Sequence, residues 1–250
     1  MDKTNTAQGK YQGGFTLVEL GIAMIIFMLL LAGAVVAVRV QTQRAAAQQT
    51  QAALAEAKEA ILGYVAANGR LPCPAEPFPA ASTDIGKSRA AGCTLASFRR
   101  GLIPWKTLGI SGLDAWDQYL TYQVTPDFTA TGFSVTAPTS IYDAPLLMET
   151  KTVTPSASIA DDGSVAFAIW SHGANGHYAI NFASRQQLAG TNTIDENVNS
   201  PTVNMNGAVV ARPASEQGSS YGEFDDSVIW VSRFTLFKRL MDAGYNIPLS

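Results

Sequence analysis

The chain has 250 residues and a formal charge of −3, with 47% hydrophobic and only 15% charged residues. Globular proteins average about 25% charged residues, so the chain is either one very apolar globule or an ordinary domain joined to a membrane segment. The slightly acidic balance argues against a general nucleic-acid-binding protein. Two cysteines cannot by themselves form a four-ligand zinc site.

The apolar residues concentrate near the N-terminus, where residues 20–38 contain no charged side chain. As a helix rising ~1.5 Å per residue, this segment spans about 28 Å, close to the hydrocarbon thickness of a bilayer. It also lacks the polar stripe that a buried helix of a globular protein normally shows. Gly13 and Gly14 precede the apolar segment, whereas the small residues of a secretory signal peptide follow it. We therefore predict a membrane helix that is not cleaved after the apolar segment.

Glu19 lies at the edge of this apolar helix. A carboxylate inside a bilayer costs on the order of 2.5–3.5 kcal/mol, and less near the interface. Two interpretations follow from the residue alone. Glu19 marks the membrane boundary at the headgroup level, or its carboxylate has a partner or a proton.

The residues from Gly14 to Leu20, which read GFTLVEL, resemble the prepilin cleavage motif of type IV pilins and type II secretion pseudopilins. The resemblance implies that a membrane peptidase cuts between Gly14 and Phe15 and then methylates the new amino group of Phe15. It also implies that Glu19 pairs with the N-terminal amine of a neighbouring subunit in a filament. The low dielectric of an apolar bundle strengthens such a pair.

The helical pattern continues beyond the apolar segment, with apolar residues every seven positions at Val40, Ala47, Leu54 and Ile61. Asn68-Gly69 is a typical helix stop. One long helix, apolar first and amphipathic later, is the pilin arrangement. A coiled-coil stalk is the alternative for the amphipathic half.

Together, the helix pattern and the resemblance divide the chain into four parts. These are a cytoplasmic leader (1–14), a transmembrane and filament-core helix (15–39), the amphipathic second half of the helix (40–68), and a periplasmic head (69–250).

The head is rich in turn residues, and its apolar segments predict an antiparallel sheet. The predicted strands are residues 119–124, 165–170, 178–182 and 228–231. Asn175-Gly176 suggests a hairpin between the second and third of these strands. Residues 184–222 are predicted to form a long loop, and the spacing of Phe234, Phe237, Leu240 and Met241 predicts a C-terminal helix capped at Gly244. The fold class is α+β, with the long helix packed on the sheet.

A fainter resemblance to pseudopilin heads covers Asp114-Ala115-Trp116 and the residues that follow. Pseudopilins have Asp-Pro-Trp-Gly before a tyrosine-rich strand. Here Ala115 replaces the proline and Asp117 replaces the glycine, so a differently built turn is expected.

Cys73 and Cys93 enclose a loop rich in proline, alanine and glycine. If the head lies in the oxidising periplasm, we expect these cysteines to form a disulfide. Two free buried thiols are the alternative.

The sequence contains few residues that suggest catalysis or metal binding. His172 and His177 are interpreted as loop histidines, because Ser171 next to His172 has poor geometry for activation and no carboxylate lies at ligand spacing. Asp225 and Asp226 are weak calcium candidates, as loop aspartates bind calcium in some pseudopilins, or they are simply solvated. No cofactor is otherwise expected.

The resemblance implies a structural subunit of a type II secretion pseudopilus or a type IV pilus, and not an enzyme. The size of the head favours a minor subunit over the repeated shaft subunit. Expected partners are other pilins, the prepilin peptidase and the assembly platform of the bacterial inner membrane. The alternatives are a pilus-displayed binding module for adhesion or DNA uptake, and a membrane-anchored periplasmic enzyme.

Overall fold

Helix α1 runs from Leu17 to Asn68 and contains 52 residues. Its sequence favours a long helix because no proline occurs before Pro72 and alanine, leucine and glutamine are frequent. The helix stops at Gly69, whose φ of +68° is a left-handed conformation that glycine adopts readily. The Gly69 N–H donates to the carbonyl of Val65 (2.8 Å). The predicted stop at Asn68-Gly69 is confirmed.

The structure is a computed structural model, and it describes only part of the chain. The described residues are 14, 16–78, 82–89, 93, 98–130, 146–148, 165–190, 194–202, 208–216, 218 and 222–246, with side chains described except at 31–37 and 146–148. The chain divides into two compact units, Met1–Ala45 and Ala46–Ser250. Within the residues so described, no helix is long and apolar enough to cross a membrane. The transmembrane helix predicted over residues 15–39 therefore stays a prediction.

Short strands and helices follow α1. The described strands are β1 (Arg100–Leu102), β2 (Thr121–Val124), β3 (Leu146–Met148), β4 (Val165–Ser171), β5 (Ala208–Val210) and β6 (Ser227–Ser232). The remaining helices are α2 (Trp105–Leu108), α3 (Ile194–Val198) and α4 (Arg233–Asp242), with 3-10 turns at Ser82–Asp84 and Pro126–Thr129.

Four of the strands form an antiparallel sheet in the order β1-β2-β4-β6. In its register, Thr121 of β2 faces Trp170 of β4, and Ser171 of β4 faces Ser227 of β6. Strands β3 and β5 form a separate parallel pair. The central strand β4 is buried along its whole length, which explains its continuous apolar sequence.

The main core joins the C-terminal half of α1 to this sheet and to α4. Leu54, Ile61 and Val65 of α1 are fully buried, and they belong to the same cluster as Phe167 of β4 and Leu236 of α4. The predicted α+β class, a long N-terminal helix with an antiparallel sheet, is confirmed. The structure also confirms the C-terminal helix and the strands predicted near 119–124, 165–170 and 228–231.

The strand predicted at residues 178–182 is wrong. Tyr178 has a φ of +63°, and this segment makes only isolated bridges, at Ile180 and Asn181. The hairpin predicted at Asn175-Gly176 is wrong for the same reason. Strand β4 is already paired on both edges, with β2 and with β6, so it has no free edge for the segment that follows.

The long loop predicted at residues 184–222 is also wrong in part, because it contains α3 and β5. These elements are too short to show a periodic pattern. They are fixed by a distant side chain, since the buried guanidinium of Arg100 donates to the carbonyls of Val198, Ser200 and Ala208. Burial lowers the pKa of Arg100 to about 9.

Candidate functional site

The start of α1 is closed by reciprocal hydrogen bonds between Thr16 and Glu19. The Glu19 backbone N–H donates to the Thr16 hydroxyl (3.2 Å). The Glu19 carboxylate accepts from the backbone N–H of Thr16 (3.2 Å) and from its hydroxyl (3.1 Å). This arrangement is a capping box, with Thr16 as the N-cap and Glu19 at the third helical position. In the sequence, the Thr-x-x-Glu spacing is the signal for this capping box. Neither interpretation of Glu19 given above takes it into account.

The processing residues of the predicted motif lie just before this cap. Gly14 is exposed, and a Cβ built on it would meet no atom within 4 Å. Phe15 and residues 1–13 lie outside the described residues. Cleavage between Gly14 and Phe15 therefore stays a prediction.

The first turns of α1 expose apolar side chains on every face of the helix. Each large apolar side chain between Leu17 and Leu30 is at least half exposed, from 53% at Ile26 to 88% at Leu17. The seven consecutive residues from Met24 to Leu30 belong to this set, so the surface has no polar side. Soluble monomeric proteins rarely leave such a large apolar surface in water, which indicates a surface for association.

Cys73 and Cys93 form a disulfide, with Cα atoms 5.7 Å apart. Both cysteines are fully buried in the main core, next to the end of α1. The predicted pairing is confirmed, and the alternative of free thiols is excluded for these two residues. Closing a loop of this length contributes about 3 kcal/mol to the stability of the head.

The Asp114 turn connects α1 to the end of β4, because the Ala115 N–H donates to the Thr50 hydroxyl of α1 (3.2 Å) and Asp114 bonds Ser171 of β4. Asp114 Oδ1 accepts from the backbone N–H groups of Trp116 (2.9 Å) and Gln118 (3.0 Å), and Oδ2 accepts from the Ser171 hydroxyl (2.7 Å). Asp117 takes a left-handed conformation with a φ of +57°. Aspartate tolerates this conformation better than most residues, which explains why it can stand where pseudopilins have glycine.

A buried row of three polar side chains, from Thr121 through His172 to Asp226, resembles a nucleophile with its base and its carboxylate. The Thr121 hydroxyl lies 2.9 Å from His172 Nε2, and His172 Nδ1 lies 3.9 Å from Asp226 Oδ1. Thr121 and His172 are 0% exposed, so no substrate carbonyl reaches the hydroxyl. Burial, followed by the nearby charge of Arg100, lowers the pKa of His172 to about 3, which makes it a weak base. The row therefore does not support the enzyme interpretation.

An acidic cluster lies beside this row and consists of Glu196, Asp225 and Asp226. One carboxylate oxygen from each lies within 4.8 Å of the other two, a spacing at which they could hold a metal ion. Burial raises the pKa of Asp225 to about 6 and raises that of Asp226 well above its usual range. The two predicted calcium candidates are therefore brought together with a third carboxylate.

Glu196 is the member of this cluster that no signal in the sequence indicated. It lies in α3, within the segment predicted to be a loop, and 29 positions before Asp225. Its carboxylate accepts from Asn175 Nδ2 (2.8 Å) and lies 2.7 Å from His177 Nδ1. The prediction that His177 has no carboxylate nearby is wrong, because the fold supplies one from a distant part of the sequence.

Hydrogen bonds from the loop after β4 and from the residue that follows α3 hold the rest of the cluster. The Asn175 N–H donates to Asp225 Oδ2 (2.9 Å), and Asn199 Nδ2 donates to Asp226 Oδ2 (2.7 Å). Gly173, with a φ of +65°, approaches so closely that a Cβ there would lie 2.3 Å from Asp225 Oδ1. The second oxygens, Oδ1 of Asp225 and of Asp226, are buried and have no hydrogen-bond partner.

Comparison with known proteins identifies the N-terminal segment. Residues 9–35 match the family model described as the prokaryotic N-terminal methylation motif. This motif is the signature of type IV pilins and pseudopilins, so the resemblance seen from Gly14 to Leu20 is confirmed. The head lies outside the matched residues. No curated protein and no solved structure matches the chain.

Proposed function

We propose that this chain is a structural subunit of a type II secretion pseudopilus or a type IV pilus, assembled through α1. The observation that carries the proposal is the match of residues 9–35 to the N-terminal methylation motif. The exposed apolar side chains from Leu17 to Leu30 support it, because helices of a filament core pack through such a surface.

Processing would give Glu19 a second role. In the precursor, its carboxylate accepts hydrogen bonds from Thr16 at the start of its own helix. Cleavage between Gly14 and Phe15 produces an ammonium group, which a neighbouring subunit can offer to Glu19. A charge-assisted hydrogen bond is roughly twice as strong as a neutral one, and it gains further strength in an apolar bundle. Formation of this pair would set the register between subunits.

Before assembly, residues 15–39 would lie in the bacterial inner membrane, with the leader (1–14) in the cytoplasm and the head (69–250) in the periplasm. The disulfide between Cys73 and Cys93 supports this location, because structural disulfides form and persist in oxidising compartments. Partners would be other pilins, the prepilin peptidase and the assembly platform. The size and irregular strands of the head favour a minor subunit.

The proposal is tested by the N-terminus of the mature protein. The full chain is expressed in a host that carries a prepilin peptidase, extracted from membranes, and analysed by intact-mass and N-terminal peptide mass spectrometry. We expect a chain that begins at Phe15 with one added methyl group. The same expression in a host lacking the peptidase is the control and should give a chain beginning at residue 1 or 2. An unprocessed N-terminus in both hosts contradicts the proposal.

A further inference from the structure

We propose that Arg39 and Arg44 of α1 bind the phosphate groups of anionic phospholipids, at the membrane surface on the side of the head. The inference rests on the proposed placement of residues 15–39 in a bilayer, and it gives a ligand to two residues to which the filament role assigns nothing. Arg39 follows directly after the uncharged residues 20–38, and Arg44 comes five positions later. Both side chains are exposed.

Neither guanidinium group has an anionic partner in the part of the chain that the structure describes. Within that part, neither side chain forms a hydrogen bond or an ion pair, and only the backbone carbonyl of Arg39 accepts, from the Thr42 hydroxyl (2.9 Å). The sequence has no aspartate or glutamate between Glu19 and Glu56. Both glutamates are more than three helical turns from either arginine, beyond the reach of an ion pair along the helix. The anion for these two charges therefore comes from outside α1.

The positions of the arginines along α1 match the thickness of a bilayer. Arg39 comes 20 residues after Glu19, a distance of about 30 Å along a helix that rises ~1.5 Å per residue. The hydrocarbon core of a bilayer has this thickness, and the headgroup layers add roughly 5–7 Å on each side. Arg44 lies about 7.5 Å beyond Arg39 along the helix. With Glu19 at one edge of the hydrocarbon core, both arginines reach the opposite headgroup layer, where the phosphates lie.

The apolar surface of α1 ends at the same place. Val38 is 57% exposed and Val40 is 41% exposed, whereas residues 41–50 are glutamine, threonine, alanine and Arg44 only. An arginine beside apolar side chains lays its methylene groups along the hydrocarbon and extends its guanidinium group to the interface. Arg39 thus stands where the helix leaves the hydrocarbon, and Arg44 stands in the polar layer above it.

The guanidinium group selects the class of lipid. Its planar N–H groups donate two parallel hydrogen bonds to phosphate oxygens. In phosphatidylglycerol no ammonium group competes for the phosphate, whereas phosphatidylcholine carries its own cation. An anionic membrane surface increases affinity about fivefold for each nearby arginine, and therefore about 30-fold for two. Five positions place the two side chains roughly 140° apart around the helix, so each arginine contacts its own lipid.

The experiment measures lipid binding by the full chain, expressed with a prepilin peptidase, purified in detergent and freed of lipid. Phosphatidylglycerol or phosphatidylcholine is titrated separately, and native mass spectrometry counts the lipids bound. We expect phosphatidylglycerol to bind at least about tenfold more tightly, with two molecules at saturation. Excess inorganic phosphate should not displace it. Equal affinity for the two lipids, or displacement by inorganic phosphate, overturns the proposal.

Two double variants test the arginines, and one variant serves as a control. R39Q/R44Q should lose the preference for phosphatidylglycerol, whereas R39K/R44K keeps the charge and should retain most of it. Lys58→Gln, at a partly exposed lysine of the same helix about 21 Å beyond Arg44, should bind both lipids as the unmodified chain does. An unchanged lipid preference in R39Q/R44Q contradicts the assignment. If that variant also enters filaments poorly, the arginines pair with a neighbouring subunit instead.

Intact mass in the same samples separates this inference from the filament role. Each variant should begin at methylated Phe15, because the arginines lie far from the cleavage site. A normally processed chain that shows no preference between the two lipids rejects the lipid site and leaves the filament role standing. An unprocessed chain that still prefers phosphatidylglycerol has the opposite meaning.

Discussion

Glu19 makes one set of contacts at the start of α1, and the proposed filament would give its carboxylate a second. In the precursor the carboxylate accepts from Thr16 and completes the capping box. In the proposed filament the same carboxylate accepts from the amine of a neighbouring subunit. Capping boxes accept glutamate or glutamine, whereas an ion pair requires the charge. Substitutions at this single residue therefore separate the two roles.

We predict that Glu19→Gln is cleaved normally but enters filaments at least about tenfold less than the unmodified chain. Glutamine keeps the cap and loses the charge, and a hydrogen bond to a charged group contributes ~1.5–3 kcal/mol. The measurement is the filament-to-membrane ratio of the subunit by quantitative immunoblotting. Glu56→Ala, at an exposed glutamate of the same helix outside the motif, is the matched control. Normal incorporation of Glu19→Gln would sink the charge-pair mechanism.

At the scale of elements, α1 shows how one backbone conformation ends a helix of 52 residues. Gly69 is left-handed, and its α-carbon lies against the ring of Tyr245, which follows α4. The position thus joins the end of the first helix to the end of the last one. Gly63, six residues earlier, lies in the helix interior, where a Cβ would meet no atom within 4 Å.

We predict opposite effects of the same substitution at these two glycines. Gly69→Ala should lower the free energy of unfolding by at least about 1–2 kcal/mol, because a left-handed alanine is strained and its Cβ would lie 2.6 Å from Tyr245 Cε1. Gly63→Ala should raise it by about 0.5–1 kcal/mol, because alanine favours the helix. Denaturant unfolding followed by circular dichroism measures both. Equal effects at the two sites would contradict the role assigned to Gly69.

At the scale of the whole molecule, the head is stabilised by apolar packing and by one covalent bond. The disulfide lies in the main core with Ile61 and Val65 of α1 and Tyr122 of β2. It fixes the chain that leads from the end of the helix to the first strand. A loop closed at this point restricts the unfolded chain as well as the folded one.

We predict that the double variant C73A/C93A lowers the free energy of unfolding by about 2–4 kcal/mol. Each alanine also removes a buried sulfur, so the unmodified chain under reductant is the control that separates the lost bond from the lost volume. The unmodified chain under reductant should show most of the decrease in the free energy of unfolding that the double variant shows. Unfolding that is unaffected by reductant, with thiols shown by alkylation to be fully reduced, would contradict this prediction.

The sequence alone determined what local pattern and composition can determine. The cleavage motif, the extent of α1, its stop at Asn68-Gly69 and the C-terminal helix were predicted because each depends on neighbouring residues. The strands β2, β4 and β6 were predicted because short segments rich in β-branched and aromatic residues, bounded by turn residues, favour strands. The disulfide was predicted because the chain has two cysteines and the head was expected to lie in the oxidising periplasm.

The tertiary structure decided everything that depends on distant residues. The segment at 178–182 is no strand because both edges of β4 are occupied, which no local pattern reveals. Helix α3 and strand β5 are joined by Arg100, about a hundred positions earlier, which donates to the carbonyls of Val198 and Ala208. For the same reason the sequence suggested Asp225 and Asp226 but not Glu196. Three carboxyl groups from two distant segments become one cluster only when the packed chain brings those segments together.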